Sequence, residues 1–519
     1  MKRNKWLYGA AALLLSGGLL FTSCSDDDEK IPTPPEQNKP DKGDGNKRKT
    51  TDEQYYANNF AHDILSVYYY WNEQIAGDLK KLDPNTNTDP IKTVSEIKYH
   101  EGKTQVDRWT MLTDDMEQFQ SGVAGVSTTY GYQPFVYRMK GTDNLLAAVA
   151  FIYKGSPAEK AGIKRGDLIY GINGKPLTEN NYLELFNSSS ITLSFAEVKH
   201  SATGNVINPT EKEIKLTAVK MYEDPVLKDS VYDCNGKKVG YLAYSSFDLN
   251  SIPKLIEVSK KFKAQGVKEL ILDLRYNGGG YVITENAMAS MYAPEEAVRM
   301  REVFEIEKYN KILTKENEKE EGFTGETRFS TEHEVPVGDG KRISYSTEDA
   351  NIGIDKVYGL ISGNSASASE ALLSGLMPYM DVELIGSPSH GKYCTGIMLD
   401  TPTFYNKIRK TNVPKSIENW GIYVMIAIYQ NAKGETPCMP NGLQPNISAE
   451  EDMLFQTQLG DVNEDLLKVA LQRAGKVYDD KEVKSRTSLN MNMKALGIPH
   501  KANFGKRILL SGQLPSLNK

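Results

Sequence analysis

Residues 269–280 read ELILDLRYNGGG, and this stretch narrows the possible folds more than any other. Leu270, Ile271, Leu272 and Leu274 leave the run without a polar face, so it reads as a strand covered on both sides, inside a parallel or mixed sheet with crossover helices. Gly278, Gly279 and Gly280 then remove side chains where the backbone must come close to another group. A phosphate is one such group, but the GxxxxGK[ST] pattern is missing. A substrate carbonyl is the better match, because a glycine N–H can point at a developing oxyanion.

The same strand–helix rhythm surrounds this run. Val239 to Tyr244 predicts a strand, Ile252 to Gln265 a helix, Val357 to Ser362 a strand, Ser367 to Met377 a helix, and Val382 to Ile385 a strand. The part from about 295 to 351 is rich in Glu and Lys and reads as a charged insertion with modest structure of its own. After about residue 456, a helix near Glu464 to Ala474 and a polar tail close the chain.

One nucleophile candidate lies at a predicted helix start, where free N–H groups and a partial positive charge gather. Ser365, Ser367 and Ser369 compete there, and composition does not choose among them. The N–H of Ala368 is a candidate oxyanion donor. Downstream, Lys392 can serve as the base once burial lowers its pKa enough to leave the amine neutral. His390 offers a Ser/His alternative, set aside on the expectation that its side chain faces away from Lys392.

Ahead of this part, residues 121–222 alternate short strands with turn residues. GSPAEKAGI at 155–163, then Gly166-Asp167-Leu168-Ile169 and Asn173-Gly174, resemble a PDZ domain of the bacterial protease type. The resemblance implies that a peptide C-terminus adds to an exposed strand edge, with Gly131 and Tyr132 marking the candidate carboxylate loop. Residues 51–120 carry a helical stripe of Phe60, Ile64, Val67, Tyr68 and Trp71 and predict a small helical domain.

At the N-terminus, Lys2, Arg3 and Lys5 precede an apolar run of about 15 residues ending at Cys24, too short for a membrane span. Residues 1–23 read as a signal peptide resembling those of bacterial lipoproteins, with Cys24 lipidated. Residues 24–50, acidic at first and then rich in Pro, Lys and Gly, read as a disordered tether. The acidic run resembles the surface-export signal of Bacteroidetes lipoproteins, and Ser25 rather than Asp after the cysteine argues for the outer membrane. The net charge of −6 and dispersed basic residues argue against nucleic acid as a partner. Of the four cysteines, Cys394 and Cys438 are the candidate disulfide; with no CxxC or Cys/His spacing, no metal and no cofactor is expected.

LDLRYNGGG, NSASASEALL and IGSPSHGK, in that order behind the PDZ-like part, closely resemble the carboxyl-terminal processing (tail-specific) peptidases. That resemblance implies a crotonase/Clp-protease-like catalytic domain over 228–455 in a multidomain α/β chain. It selects Ser367 as nucleophile and Lys392, 25 positions later, as base. It also implies Ala368 and a glycine of the 278–280 loop, foremost Gly279 with Gly278 beside it, as oxyanion donors, acting on a protein or peptide tail. Many members carry a glutamine four residues after the lysine that orients the amine, whereas Gly396 stands there here. Glu370, one turn from Ser367, is the nearest candidate to replace it, with a local capping or pairing role left open. Two other classes remain open: a lipid-tethered binding protein on an inactive scaffold, and a glycan-binding surface protein displaying the tyrosines near Trp71.

Overall fold

A computed structural model describes residues 48–139, 141–201, 204–319, 324–338, 341–452, 454–478, 493–495 and 505–510. The signal, Cys24 and nearly all of the tether lie outside them. Among the described residues no helix is long and apolar enough to cross a membrane.

The strand Glu269–Asp273 is interior, as its composition requires. It pairs in parallel with Lys237–Tyr244 on one side and Lys356–Ile361 on the other, and Asp381–Gly386 extends the sheet in parallel. Val226–Cys234 closes one edge antiparallel to Lys237–Tyr244, and the short strand Ile447–Ser448 closes the other. The helix Ala368–Leu376 follows Lys356–Ile361, so the serine run sits at the carboxyl end of the strands beside the glycine turn.

A second sheet packs over that end. In order, it runs Gly279–Tyr281, Lys506–Leu509, Cys394–Asp400, Gly421–Asn431, Val303–Tyr309 and Glu326–Arg328, with Met111–Thr113 also on Gly421–Asn431. The structure departs from the sequence pattern at two places in this sheet. The charged stretch 295–351 is not merely an insertion, because Val303–Tyr309 is a ladder strand of this sheet. Nor is the chain end only a polar tail: Lys506–Leu509 is buried, parallel to both Gly279–Tyr281 and Cys394–Asp400. Neither strand announces itself in sequence, because Glu305, Glu307 and Arg507 neutralise one another only after the sheet has formed.

The PDZ-like part forms its own sheet, in the order Gly204–Thr217, Ser190–Ser201, Leu168–Ile172, Leu145–Ile152, Tyr132–Met139 and Met493–Ala495. Its core includes Val136, Val149, Ile169, Leu193 and Phe195. At the amino end, the helix Asp52–Val67 starts in a capping box in which Thr51 and Gln54 each accept the other's backbone N–H. Phe60, Ile64, Tyr69 and Trp71 are buried beneath it, which removes the tyrosine cluster as an exposed glycan platform. The region is not purely helical, because Met111–Thr113 leaves it to join the second sheet.

Candidate active site

Ser367 caps the helix Ala368–Leu376 with φ 65° and ψ −115°, a left-handed conformation rare for a residue with a Cβ. Holding it costs about 1–3 kcal/mol, which the buried surroundings must offset. Ser365 and Ser369 are spent on backbone: Ser365 Oγ donates to Leu274 O at 2.8 Å and Ser369 Oγ to Asn277 O at 2.9 Å. Of the three serines, Ser367 is the one that meets the lysine.

Lys392 Nζ lies 3.3 Å from Ser367 Oγ. It is fully buried, reaches Cys394 O at 2.5 Å and Tyr423 Oη at 3.4 Å, and sits 5.5 Å from the Trp109 ring centroid. Burial pushes its pKa down, and the nearby Arg507 charge adds to this. The pocket therefore favours a neutral amine, the form that accepts a proton.

Glu370 is beside the dyad but takes the local capping role rather than orienting the amine. Its Oε2 accepts from the N–H of Ser367 at 2.8 Å and of Lys392 at 2.9 Å, and its Oε1 accepts from Gly391 N at 2.6 Å and from the Ser389 hydroxyl. The carboxyl ties the backbone of the serine turn to that of the loop carrying Lys392, while Cys394 O and Tyr423 Oη engage the amine. Burial pushes its pKa up to about 7, against the pull of those hydrogen bonds. Ser389, in turn, accepts from Leu443 N at 2.6 Å.

Ala368 occupies the first helical position, where the N–H lacks an intrahelical acceptor. The glycine loop is arranged differently from the expectation. A Cβ on Gly279 would lie 2.8 Å from Ser367 Cβ, so only glycine brings this backbone against the nucleophile. Yet its N–H donates to Asn277 Oδ1 at 2.9 Å, so Gly279 is not a ready oxyanion donor in this arrangement. Gly278 presents its carbonyl to Gly505 N–H at 2.7 Å.

Cys394 and Cys438 are both buried free thiols, so the candidate disulfide is absent. The Gly131 N–H donates to Thr129 Oγ1 at 3.0 Å, and the buried Tyr132 sends its hydroxyl to Leu185 O at 3.2 Å. Both are committed inside the PDZ-like part. His390 lies near Trp109, with ring centroids 6.3 Å apart, and Ser367 is engaged by Lys392.

Three participants escaped sequence reasoning. Tyr423 and Arg507 arrive on distant strands, and Arg165 crosses from the PDZ-like part to Tyr276 Oη at 2.6 Å and Glu464 Oε1 at 3.2 Å. Arg275, beside the glycine turn, shares Glu464 through Nη2 at 2.9 Å. A signal for Arg165 was present, a cation in the turn before Gly166-Asp167, but Tyr276 lies 111 positions and Glu464 299 positions away.

Residues 238–449 match the model described as peptidase family S41, and residues 149–195 match a PDZ domain. A Staphylococcus epidermidis protein named as a probable CtpA-like serine protease is 27% identical over 301 residues, 57% of this chain and 50% of that one. A Staphylococcus aureus protein of the same name is 25% identical over 364 residues, 65% of this chain and 62% of that one. The chain thus spans about half the length of the first of these relatives. A solved Bacteroides fragilis structure classed with the S41 proteases aligns with a TM-score of 0.61 at 20% identity, over 81% of this chain and 98% of that one, a likeness of fold.

Proposed function

We propose that this chain, whose residues 238–449 form an S41 peptidase domain behind a PDZ domain, is a serine endopeptidase of the tail-specific type. The observation that carries the reading is Ser367 Oγ lying 3.3 Å from the buried Lys392 amine. Neutral Lys392 takes the proton of Ser367 as Oγ attacks the scissile carbonyl. The protonated amine then hands that proton to the leaving nitrogen; water, deprotonated by the same amine, attacks the acyl carbon, and the amine returns this second proton to Oγ as the acid departs. Ala368 N–H receives the developing oxyanion. A second donor becomes available if Gly279 N–H is released from Asn277.

The substrate is a protein or peptide whose C-terminus adds to an edge of the PDZ domain. Cys24 carries lipid and tethers the enzyme to the outer membrane; loss of detergent-phase partitioning in Cys24→Ala tests this, and unchanged partitioning overturns it.

The catalytic test is labelling and hydrolysis. The unaltered protein should bind a fluorophosphonate at one serine and cleave an unstructured protein tail. Ser367→Ala and Lys392→Met should each do neither while still melting cooperatively, since methionine fills the lysine's space but cannot accept a proton. Labelling that survives Ser367→Ala would remove the assignment. A second reading, a peptide-binding protein with an impaired site, draws on the engaged Gly279 N–H. It predicts PDZ-dependent peptide binding with no labelling of any serine.

A further inference from the structure

Gly396 is the position where the resemblance leads one to look for a side chain orienting the lysine. There is no room for one. A Cβ built there would lie 2.6 Å from two ring carbons of Tyr423 and 2.5 Å from Met425 Cε. The space is filled from the neighbouring strand Gly421–Asn431, and the Tyr423 hydroxyl reaches Lys392 Nζ at 3.4 Å.

We infer that Tyr423 is the positioning residue that aims the lone pair of Lys392 at Ser367, standing in for the side chain Gly396 lacks. This rests on the Ser367/Lys392 reading above. A neutral amine has two hydrogens and one lone pair, and Nζ has three neighbours: Cys394 O, Tyr423 Oη and Ser367 Oγ. With Cys394 O as the sole other acceptor, the second hydrogen can rotate onto Ser367 Oγ, and the lone pair then faces away from the proton it should take. Tyr423 supplies the second acceptor, leaving the lone pair for the serine hydroxyl.

The tyrosine is held in that role by the chain end. Its hydroxyl donates to Arg507 O at 3.0 Å and accepts from Arg507 N at 3.1 Å. The one hydroxyl hydrogen is therefore committed to a carbonyl, and the remaining lone pair can only accept from Nζ. Burial pushes the Tyr423 pKa well up, so it stays a phenol. The strand Lys506–Leu509 is thus part of how the base is aimed, although it supplies no side chain to the serine.

The test measures fluorophosphonate inactivation rates of the full chain across the neutral and alkaline range, with melting curves as a folding control. The charged and titratable groups around Nζ are Asp107, Glu370, Cys394, Tyr423, Lys506 and Arg507, and all but one are unchanged in Tyr423→Phe. This variant keeps the ring and should inactivate about 10-fold or more slowly at its plateau. Its acidic limb should move to lower pH, because the ammonium form has lost an acceptor. The double change Tyr423→Ala with Gly396→Gln should regain much of the rate lost by Tyr423→Ala alone. An unaltered rate and limb in Tyr423→Phe overturns the inference, as does a slow rate with an unmoved limb and no rescue, which marks a structural role. If the unaltered protein is not labelled at Ser367, the dyad reading itself fails, a different result from any of these.

Discussion

Lys392, two residues ahead of the strand Cys394–Asp400, and Arg507, on the adjacent strand Lys506–Leu509, are two fully buried basic groups, and their surroundings treat charge in opposite ways. Around Lys392 Nζ stand a carbonyl, a phenol, a hydroxyl and the Trp109 ring, while Glu370 faces backbone N–H groups. Around Arg507 stand Glu285, Glu305 and Glu307, with Nε to Glu285 Oε2 at 2.9 Å. Burial costs a lone charge far more than hydrogen bonds to neutral groups return, so the lysine is driven toward its neutral form. The guanidinium cannot lose its proton and must recruit carboxylates. Burial also pushes the carboxyl of Glu305 well above its usual range and that of Glu285 up, so one cation does not face three full negative charges. The first pocket makes a base and the second makes an anchor.

Removing the anchor should have the largest effect. Arg507→Met leaves three buried carboxyls without their cation and should lower stability by about 3–5 kcal/mol, read from the denaturation midpoint. A variant as stable as the unaltered protein would mean that the chain end is held by apolar packing and that the contrast with Lys392 is one of position only.

Glu370→Gln sharpens the other side. If the carboxyl organises backbone, an amide that puts an NH2 among four donors should slow hydrolysis about 10- to 100-fold, equivalent to about 1.4–2.8 kcal/mol, with the acidic limb nearly in place. If it were the counter-ion of Lys392, the limb would move clearly to lower pH instead. The kcat profile against pH separates the two.

The smallest effect is a gain. Because the folded pKa of Lys392 is depressed, the unfolded chain holds a proton that the native state lacks between that value and 10.5, so stability falls as pH drops through this window. Lys392→Met should remove the penalty and raise stability at pH 7 by about 1 kcal/mol, with the gain vanishing above the unfolded pKa of lysine. Equal melting temperatures at all pH values would show that the buried amine carries no such cost.

Much of this site is legible in local sequence. The interior strand, the glycine turn and a serine at a helix start are local patterns, and the motifs that select Ser367 and Lys392 lie within short windows. Glu370 was identified as a neighbour, with orienting the amine and capping locally both open; it caps the Ser367 N–H and reaches the backbone, not the amine, of Lys392. Which atoms its carboxyl faces depends on where Gly391 and Lys392 return to the helix, some 21 positions on. The Gly279 expectation missed for a similar reason, since Asn277 lies two residues away and its rotamer decides whether that N–H is free.

Sequence alone determined the chemistry on offer: a PDZ-like module, a buried strand ending in glycines, a serine, and a lysine with no glutamine after it. Only the tertiary structure decided how the lysine is aimed and what holds the chain end. Tyr423 is 27 residues beyond Gly396, and Arg507 is 84 beyond Tyr423. Both read as ordinary strand residues until a sheet lays Gly421–Asn431 and Lys506–Leu509 on either side of Cys394–Asp400. Local patterns encode which groups are present, whereas the direction of a lone pair depends on three strands meeting, and no window of sequence contains that.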